Sequence, residues 1–399
     1  MHIVFVCREY PPSQRMGGIA SYIKETAEAL VRNKYRVSVI CASDDTRIES
    51  KAVVNGVMVI RLSKGDFIIP GEEPDWGGLK KFRTIYRFYS YRKKIKETIL
   101  ELHSMNPVDI IEVPEYGAEG YYLTDINIPV VVRLHTPTLL DRKTQKMKPF
   151  KLRTFYEYWI GKKELLVVKK IKHVTSCSDC LRDWFFRFVP QVTLDIKTIY
   201  NPINMTNWFV PSLEYDETRI LYAGTVAEVK GVGELIDACS LLHKKGVDVR
   251  LTIAGKLGTY ARDLKKRCEE SGYTWCEFIG HVSREELKTL YAKSKISCFP
   301  SWWENLPLVC LEAMAVGNVV IGSTNGGMAE IITDGIEGFL VEPQNSTLLA
   351  DKIEQALYLS KKDVSILKDR AKKRIYKQFS SDRIIRQLEE YYLSVINEY

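Results

Sequence analysis

Short apolar runs alternate along the chain with longer segments in which apolar residues recur every three or four positions. The short runs predict buried β-strands and the longer segments predict amphipathic helices. Their alternation is typical of an α/β fold with doubly wound parallel sheets. The strands predicted in the first half are residues 2–7, 36–42, 109–113, 130–135 and 173–177.

A second strand series begins at residues 219–224, after a segment (200–211) that contains two prolines and three asparagines. Because these residues favour turns and loops, the segment predicts a domain boundary. The chain has 399 residues, enough for two domains that each bury a core. We therefore expect domains at residues 1–200 and 201–378, followed by a helical segment at 379–399 that contains an amphipathic run.

The segment 297–327 carries two glutamates, Glu304 and Glu312, eight positions apart across the predicted start of a helix. Residues 296–299 form a short apolar run, and Pro307 suits the first position of the helix that follows. At ~100° per residue, Glu312 lies roughly a turn and a half inside this helix and can reach the same cavity as the loop residue Glu304. One carboxylate suits sugar hydroxyls and the other suits a ribose diol.

Loops that follow strands are further candidate sites, because ligands of open α/β sheets bind beyond the carboxyl ends of the strands. Gly17 and Gly18 open a predicted helix where backbone N–H groups can approach a diphosphate; a plain tight turn is the alternative. His135 ends another predicted strand and is expected to face the ligand. Glu115 and Tyr116 follow a third strand, and an exposed loop acid is the alternative for Glu115.

The two glutamates and the residues that follow them resemble the Glu-x7-Glu signature of retaining GT-B-fold glycosyltransferases (glycosyltransferase family 4-like, glycosyl transferases group 1). The matching continuation includes Gly326, Gly327 and Glu330, then Asp334, Gly335 and residues 338–343. The resemblance implies two doubly wound Rossmann-like domains that face each other across a cleft, with a C-terminal crossover helix returning to the first domain. It also implies transfer of a sugar from a nucleoside-diphosphate sugar to a hydroxyl group with retention of anomeric configuration.

The same resemblance implies roles for individual residues. Glu304 would hold the donor sugar, Glu312 the ribose, Lys230 the diphosphate, and His135 the sugar or acceptor. The Gly224–Thr225 loop, Val282, Gly17 and Gly18 would line the donor site. Independently of the resemblance, the free N–H groups of Asn305 and Leu306 at the helix start would point at the same anion, and the position of Glu115 and Tyr116 after a strand makes them candidates for the acceptor site. Thr225 stands where the family usually has arginine, so Lys230 and helix N-termini would carry more of the phosphate charge.

The expected catalysis uses no metal and no cofactor. The chain has no Asp-x-Asp motif bounded by apolar strand residues, so lysine and helix dipoles would take the place of Mg²⁺. No dedicated nucleophile is evident. The resemblance implies attack of the acceptor on the same face, with the leaving phosphate helping to accept the proton. UDP is the favoured nucleotide and GDP the second.

The formal charge of +8 is divided unevenly, with +10 in residues 1–205 and −2 in the remainder. Residues 80–96 contain eight Lys or Arg, five aromatic residues and no acid. Such a segment attracts phosphate groups, and a merely solvated helix face is the alternative. The basic segment therefore suggests an acceptor presented at an anionic membrane surface. The resemblance implies that this acceptor is a glycan or a lipid-linked sugar in bacterial polysaccharide or glycolipid synthesis. No nucleic-acid partner is expected.

Nine scattered cysteines suit a reducing cytosol, and no apolar run reaches the ~18 residues of a spanning helix. We expect a cytoplasmic protein that associates with the inner face of the plasma membrane. Cys177 and Cys180 are predicted to be structural, at a strand end and a helix start.

Other functions are a nucleotide-sugar epimerase and a non-catalytic sugar-nucleotide-binding protein of the same fold. A binding protein would not need Glu304, Lys230 and His135 together. A dinucleotide-dependent oxidoreductase is disfavoured because no strand is followed by Gly-x-Gly-x-x-Gly.

Overall fold

The computed structural model describes residues 1–13, 17–45, 47–65, 80–140, 152–189, 194–210 and 214–399. These residues form two compact units. The first unit contains Met1–Pro202 and Ser381–Tyr399, and the second contains Ile203–Ser380. The sequence placed the two divisions after residues 200 and 378.

The first unit is built on a sheet in which eight strands are described. The strands are β1 (His2–Val6), β2 (Arg36–Ala42), β3 (Ser50–Val54), β4 (Val57–Leu62), β5 (Ile110–Pro114), β6 (Val130–Leu134), β7 (His173–Ser176) and β8 (Ile196–Thr198). Their order across the sheet is β3-β4-β2-β1-β5-β6-β7-β8. Neighbouring strands are parallel except β3 and β4, and β1, β5 and β6 are buried along their whole length. Burial on both faces explains why these strands are almost uniformly apolar.

The β3–β4 hairpin is absent from the sequence prediction. Asn55 and Gly56 connect the two strands, and both have positive φ, 49° and 83°. An Asn-Gly pair between apolar runs is a strong signal for a two-residue hairpin turn. The signal was therefore present in the sequence.

The helices of the first unit include α1 (Gly18–Arg32), α2 (Lys80–Met105), α3 (Leu152–Lys170) and α4 (Asp179–Phe188). A further helix, α12 (Ser381–Asn397), lies at the end of the chain. It buries Ile384, Ile385, Leu388 and Tyr392 in the same core as α1, β1 and β2. The amphipathic pattern at residues 383–395 reflects this buried face.

The second unit contains β9 (Asp216–Ala223), β10 (Arg250–Ala254), β11 (Cys276–Gly280), β12 (Ser294–Phe299), β13 (Val319–Ser323) and β14 (Phe339–Val341). All pairs are parallel, and the order is β11-β10-β9-β12-β13-β14. The helices are α5 (Val232–Lys244), α6 (Thr259–Glu270), α7 (Arg284–Ala292), α8 (Leu308–Val316), α9 (Met328–Ile331), α10 (Ser346–Leu357) and α11 (Lys361–Phe379).

Strand order reverses between β9 and β12 in the second unit, and between β1 and β5 in the first. Successive strands run outward from each of these pairs in opposite directions, so the loops that follow the pair diverge and leave a crevice at the carboxyl edge of the sheet. The topology thus selects the loops after β9 and β12, and those after β1 and β5, as candidate sites.

Candidate active site

Lys230 and Glu304 form an ion pair at the reversal point of the second sheet. Lys230 lies in the loop after β9 and Glu304 in the loop after β12, and Lys230 Nζ is 2.7 Å from Glu304 Oε1. The hydroxyl of Ser301 donates to the same oxygen at 2.9 Å. The side chains are 29% and 19% exposed, so both are accessible from solvent. A cation and an anion are thus held together where a ligand of this fold is expected.

The two loops also contact each other through their backbones. The N–H of Trp302 donates to the carbonyl of Val229 at 2.9 Å. Gly231 has a φ of +69°, and a Cβ at this position would lie 2.2 Å from the carbonyl oxygen of Pro300. Glycine is therefore required here both for backbone conformation and for close approach.

Gly326 and Gly327 support the backbone around Glu304 from the other side. A Cβ on Gly326 would lie 2.1 Å from the carbonyl oxygen of Glu304, and one on Gly327 would lie 1.9 Å from that of Asn305. The N–H of Gly327 donates to the Glu304 carbonyl at 2.8 Å. These contacts give a steric reason for the Gly-Gly pair, because any side chain would displace the loop that carries Glu304.

Glu312 lies within α8, which begins at Leu308, one residue after the predicted start. Its side chain is partly buried and close enough to Tyr291 to raise the pKa of that phenol, after the larger effect of burial. Asn305 accepts a hydrogen bond from the indole of Trp303 at 2.8 Å, and Leu306 is buried. The helix thus places the second glutamate on the element that directly follows the Glu304 loop.

The remaining donor-side predictions fall on loops after β9 and β11. The N–H of Gly224 donates to the Ala254 carbonyl at 3.0 Å, and that of Gly255 donates to the Gly280 carbonyl at 2.8 Å. The loops after β9, β10 and β11 therefore lie side by side. Thr225 has an exposed side chain, while its carbonyl accepts from the Tyr222 hydroxyl at 2.8 Å. Val282 lies just beyond β11 and is partly buried.

In the first unit, Glu115 holds the backbone that carries His135. Its carboxylate accepts the N–H of His135 at 2.9 and 2.8 Å, and the N–H of Thr136 at 2.6 Å. Glu115 is only 1% exposed, so the alternative of an exposed loop acid is wrong. Sequence alone did not reveal the burial, because Glu115 meets residues 135–136 only when β5 and β6 pair.

A second buried carboxylate, Glu164 of α3, extends this arrangement. It accepts the N–H of Gly117 at 2.7 Å, and both the N–H and the hydroxyl of Thr138 at 2.9 and 2.7 Å. Burial raises the pKa of both carboxyls, and Glu164 further raises that of Glu115, to about 8. The loops after β5 and β6 are thus fixed by two acids that both resist ionisation.

His135 is itself buried, and its ring meets the ring of Tyr22 edge-on with centroids 5.0 Å apart. Burial and the nearby Arg133 hold the pKa of His135 well below its usual value. The imidazole is therefore neutral at pH 7. It can exchange hydrogen bonds with a sugar hydroxyl but does not supply a positive charge.

A buried polar network lies next to His135. Glu112 accepts hydrogen bonds from the hydroxyls of Tyr22 at 2.9 Å and Tyr392 at 2.6 Å. The Arg133 guanidinium stacks over the Tyr22 ring at 4.1 Å and donates to the Ile199 carbonyl. Because Tyr392 belongs to α12, the C-terminal helix contributes directly to this network.

The other first-unit predictions lie on the loops after β1 and β5. Gly17 immediately precedes α1 and Gly18 is its first residue. A Cβ on Gly17 would lie 2.9 Å from a carboxylate oxygen of Glu9. The Arg8 guanidinium stacks over the Tyr116 ring at 4.8 Å, which joins the two loops.

Several residues in these arrangements were not predicted from the sequence. Ser301, Arg8, Tyr22 and Glu164 all touch predicted site residues or their loops. Ser301 was detectable, since it stands three residues before Glu304 in a strand-end loop. The other three come from elements distant in sequence and carry no local signal.

The two halves of the chain match two known protein families. Residues 16–207 match the family described as Glycosyltransferase Family 4, and residues 205–376 match Glycosyl transferases group 1. The chain belongs to these glycosyltransferase families. The family prediction made from the Glu304–Glu312 segment is confirmed.

Among its relatives is an uncharacterized glycosyltransferase of Methanocaldococcus jannaschii, 27% identical over 98% of both chains. Among solved structures, the sucrose-phosphate synthase of Thermosynechococcus elongatus is similar, with a TM-score of 0.82, 20% identity and full coverage of both chains. Anabaena HepE, solved in complex with UDP-glucose, has a TM-score of 0.72 and 17% identity, with coverage of 99% of this chain and 100% of HepE. The glycosyltransferase is thus of the GT-B type, as predicted.

The described residues contain no group of three or more His, Cys, Asp or Glu that could hold a metal ion. In the same part of the chain, no helix combines the length and apolarity needed to cross a membrane.

Proposed function

We propose that this glycosyltransferase retains anomeric configuration and moves a sugar from a nucleoside-diphosphate sugar to a hydroxyl of a glycan or lipid-linked acceptor. The observation that carries the proposal is the Lys230–Glu304 pair at the reversal point of the second sheet, with Glu312 on the next helix. In this assignment the second unit binds the donor and the first unit binds the acceptor.

Each part of the donor nucleotide sugar is assigned one side chain of the second unit. Lys230 contacts the diphosphate, Glu304 orients the sugar hydroxyls, and Glu312 accepts hydrogen bonds from the ribose. The Lys230–Glu304 pair would then exchange its internal contact for contacts with the donor, the ammonium taking the phosphate and the carboxylate taking the hydroxyls. Charge-assisted hydrogen bonds of this kind are the stronger ones in proteins.

The reaction requires charge stabilisation more than a reactive side chain. The bond between the anomeric carbon and the diphosphate oxygen breaks, and the electron pair leaves with the phosphate. The acceptor oxygen bonds to the same face of the sugar, and its proton passes to the leaving phosphate. Lys230 stabilises the charge that develops on that phosphate. Neutral His135 positions a hydroxyl of the sugar or acceptor without competing for the phosphate.

UDP is the first choice of nucleotide, since HepE is solved with UDP-glucose, and GDP is the second. Val282 and the backbone beyond β11 are the proposed contacts for the base. The backbone of Thr225 is a proposed contact for the phosphates. The backbone N–H groups of Gly17 and Gly18, at the start of α1, are further proposed contacts for the phosphates.

An apolar cavity in the first unit supports a lipid-linked acceptor. It has a volume of about 160 Å³, and its lining is mostly apolar, including Pro137, Leu139, Leu165, Trp184 and Phe188, with one acid, Glu164. Pro137 and Leu139 lie within four residues of His135 in the chain, so the cavity adjoins the proposed acceptor side. Glu115 and Tyr116 are the proposed polar contacts there.

A thermal-shift screen against UDP, GDP and their sugar conjugates tests the proposal. A ligand at about 100 times its Kd stabilises the folded protein by about 2.7 kcal/mol, which is readily detected. The identified donor is then incubated with and without candidate acceptors. Net transfer with retained configuration supports the proposal, whereas donor binding with neither transfer nor hydrolysis indicates a sugar-nucleotide-binding protein. Conversion of the donor into a second nucleotide sugar that differs in configuration at one sugar carbon indicates an epimerase.

A further inference from the structure

Two cysteines approach each other outside the proposed donor site. Cys268 lies in the last turn of α6, and Cys276 is the first residue of β11. Between them the chain reverses at Gly272, whose φ is +68°, and the N–H of Tyr273 donates to the Cys268 carbonyl at 2.9 Å. A left-handed glycine with such a bond is a common helix ending. This turn brings the strand back beside the helix.

The two thiols share a pocket. The Cys276 thiol is near enough to Cys268 to act on it as a hydrogen-bond donor. Both residues line an open cavity of about 250 Å³, together with Lys265, Glu269 and Phe278. Cys268 is buried and Cys276 is partly exposed. A small oxidant can therefore enter the cavity and meet both sulfur atoms.

The surroundings give the two thiols different reactivities. The hydrogen bond from Cys276 lowers the pKa of Cys268, and Arg267 lowers it further, while the same bond and burial raise the pKa of Cys276. Burial alone raises the pKa of Cys239. Because the thiolate is the reactive form, Cys268 is the better nucleophile of the pair.

We propose that Cys268 and Cys276 are a modification site at which a small hydroperoxide forms a reversible disulfide. The Cys268 thiolate attacks a peroxide oxygen, breaking the O–O bond and giving a sulfenic acid and, after protonation, water or an alcohol. The Cys276 sulfur then displaces water from the sulfenic sulfur. In total, two thiols and one hydroperoxide give one disulfide, one water and one water or alcohol. A dithiol reductant returns the pair to thiols.

The test uses the full-length native protein, reduced and then treated with hydrogen peroxide. Intact mass should decrease by two hydrogens, and thiol titration after unfolding should give two fewer than the nine thiols of the reduced chain. Peptide mapping should place the bond between Cys268 and Cys276, and dithiothreitol should reverse it.

Single variants separate the roles of the two sulfurs. Cys276→Ser should stop at a sulfenic acid on Cys268, which dimedone traps, whereas Cys268→Ser should give neither product at this site. Cys180→Ser is the control and should form the disulfide like the wild type. Cys268→Ala repeats the test if the serine variant melts at lower temperature. An unchanged mass, a bond mapped to other cysteines, or equal oxidation in Cys268→Ala would overturn the proposal.

Discussion

Glu304 has two partners in the structure and a third in the proposed mechanism. Lys230 and Ser301 both donate to one of its oxygens, which fixes the carboxylate at the end of β12. Its backbone is fixed separately by Gly326 and Gly327. The side chain is thus positioned before any donor binds, which reduces the entropy lost when substrate is oriented.

Replacing Glu304 should affect sugar transfer, whereas replacing Glu312 should affect nucleotide binding. Glu304→Ala should reduce kcat by roughly a hundredfold or more, because a group that acts on the reacting sugar is removed, while binding of the free nucleoside diphosphate changes little. Glu312→Ala should weaken nucleotide binding by about 1.5–3 kcal/mol, the range for a hydrogen bond to a charged group. Calorimetric titration and initial-rate assays measure the two effects. Equal, mild effects of both changes would contradict the assignment, and exposed Glu270→Ala is the control.

Removing the lysine should affect the chemical step. Lys230→Ala should cost about 2–4 kcal/mol of transition-state stabilisation, the range for loss of one donor to a developing anion. The quantity to measure is kcat/KM relative to the wild type. Lys245→Ala, which removes an exposed ion pair with Asp351 and Glu354, serves as the control and should remain near wild type. A loss confined to thermal stability would leave Lys230 a structural role only.

At the scale of elements, the strand-end loops of the first unit depend on buried acids. Glu115 and Glu164 satisfy backbone N–H groups at Gly117, His135, Thr136 and Thr138, which would otherwise be buried without partners. Parallel strands β5 and β6 make this possible by ending at the same edge of the sheet. The position of His135 is therefore a property of the pairing of these strands and of α3.

The raised pKa of Glu115 predicts a pH dependence of stability. The ordinary pKa of a glutamate is 4.5, whereas the pKa of Glu115 in the folded protein is about 8. Between these two pH values, Glu115 keeps its proton in the folded protein but has lost it in the unfolded chain. Rising pH in this window therefore removes stability. Glu115→Gln cannot titrate at this position, so its unfolding free energy should fall less steeply with pH than that of the wild type. Denaturant unfolding at several pH values measures both slopes, and parallel slopes would show that Glu115 does not titrate in this window.

At the scale of the whole molecule, the matches to two families and the division into two units give the same organisation. One family model covers residues 16–207 and the other covers 205–376, while α12 belongs structurally to the first unit. Glu112 accepts a hydrogen bond from Tyr392, so the last helix is tied to a strand of the first unit.

The proposed mechanism predicts activity without a divalent metal. Transfer should continue in excess EDTA, because Lys230 and helix N-termini supply the positive charge that Mg²⁺ would otherwise provide. Rates are compared before and after EDTA and after addition of excess Mg²⁺. A complete loss in EDTA that Mg²⁺ restores would require a metal-dependent mechanism.

The basic first half predicts binding to anionic membranes. Helix α2 exposes Arg83 as well as Phe82 and Tyr86, which are 60% and 69% exposed, whereas Arg92 is buried against Phe88 and does not contribute to the surface. Each surface Lys or Arg contributes about 1 kcal/mol near an anionic bilayer, and salt weakens the attraction. Cosedimentation with anionic vesicles should therefore exceed that with neutral vesicles, and more so at low salt.

A charge-matched pair of variants localises this effect. Arg83→Gln combined with Arg87→Gln should reduce binding to anionic vesicles, while Lys361→Gln combined with Lys362→Gln, on α11 of the second unit, should not. Equal binding by both variants, or no preference of the wild type for anionic vesicles, would favour a soluble acceptor and a solvated basic helix.

The sequence by itself determined the alternation of strands and helices, the family, and the positions of Glu304 and Glu312 on either side of the start of a helix. These features are local: a buried parallel strand must be apolar, and Pro300 and Pro307 mark the end of β12 and the start of α8. It even contained the Asn55–Gly56 turn that the strand prediction missed. Local periodicity explains the correct prediction of strands and helices, whereas the family was predicted from the resemblance of the segment around Glu304 and Glu312.

Only the tertiary structure decided which distant residues meet. The Lys230–Glu304 pair exists because β9 and β12 are neighbours, and the burial of Glu115 follows from the pairing of β5 with β6 and the packing of α3. Tyr392 reaches Glu112 across 280 positions of sequence. Such contacts depend on strand order and on desolvation, which are set by the collective burial of the sheet and its helices, so no short stretch of sequence encodes them.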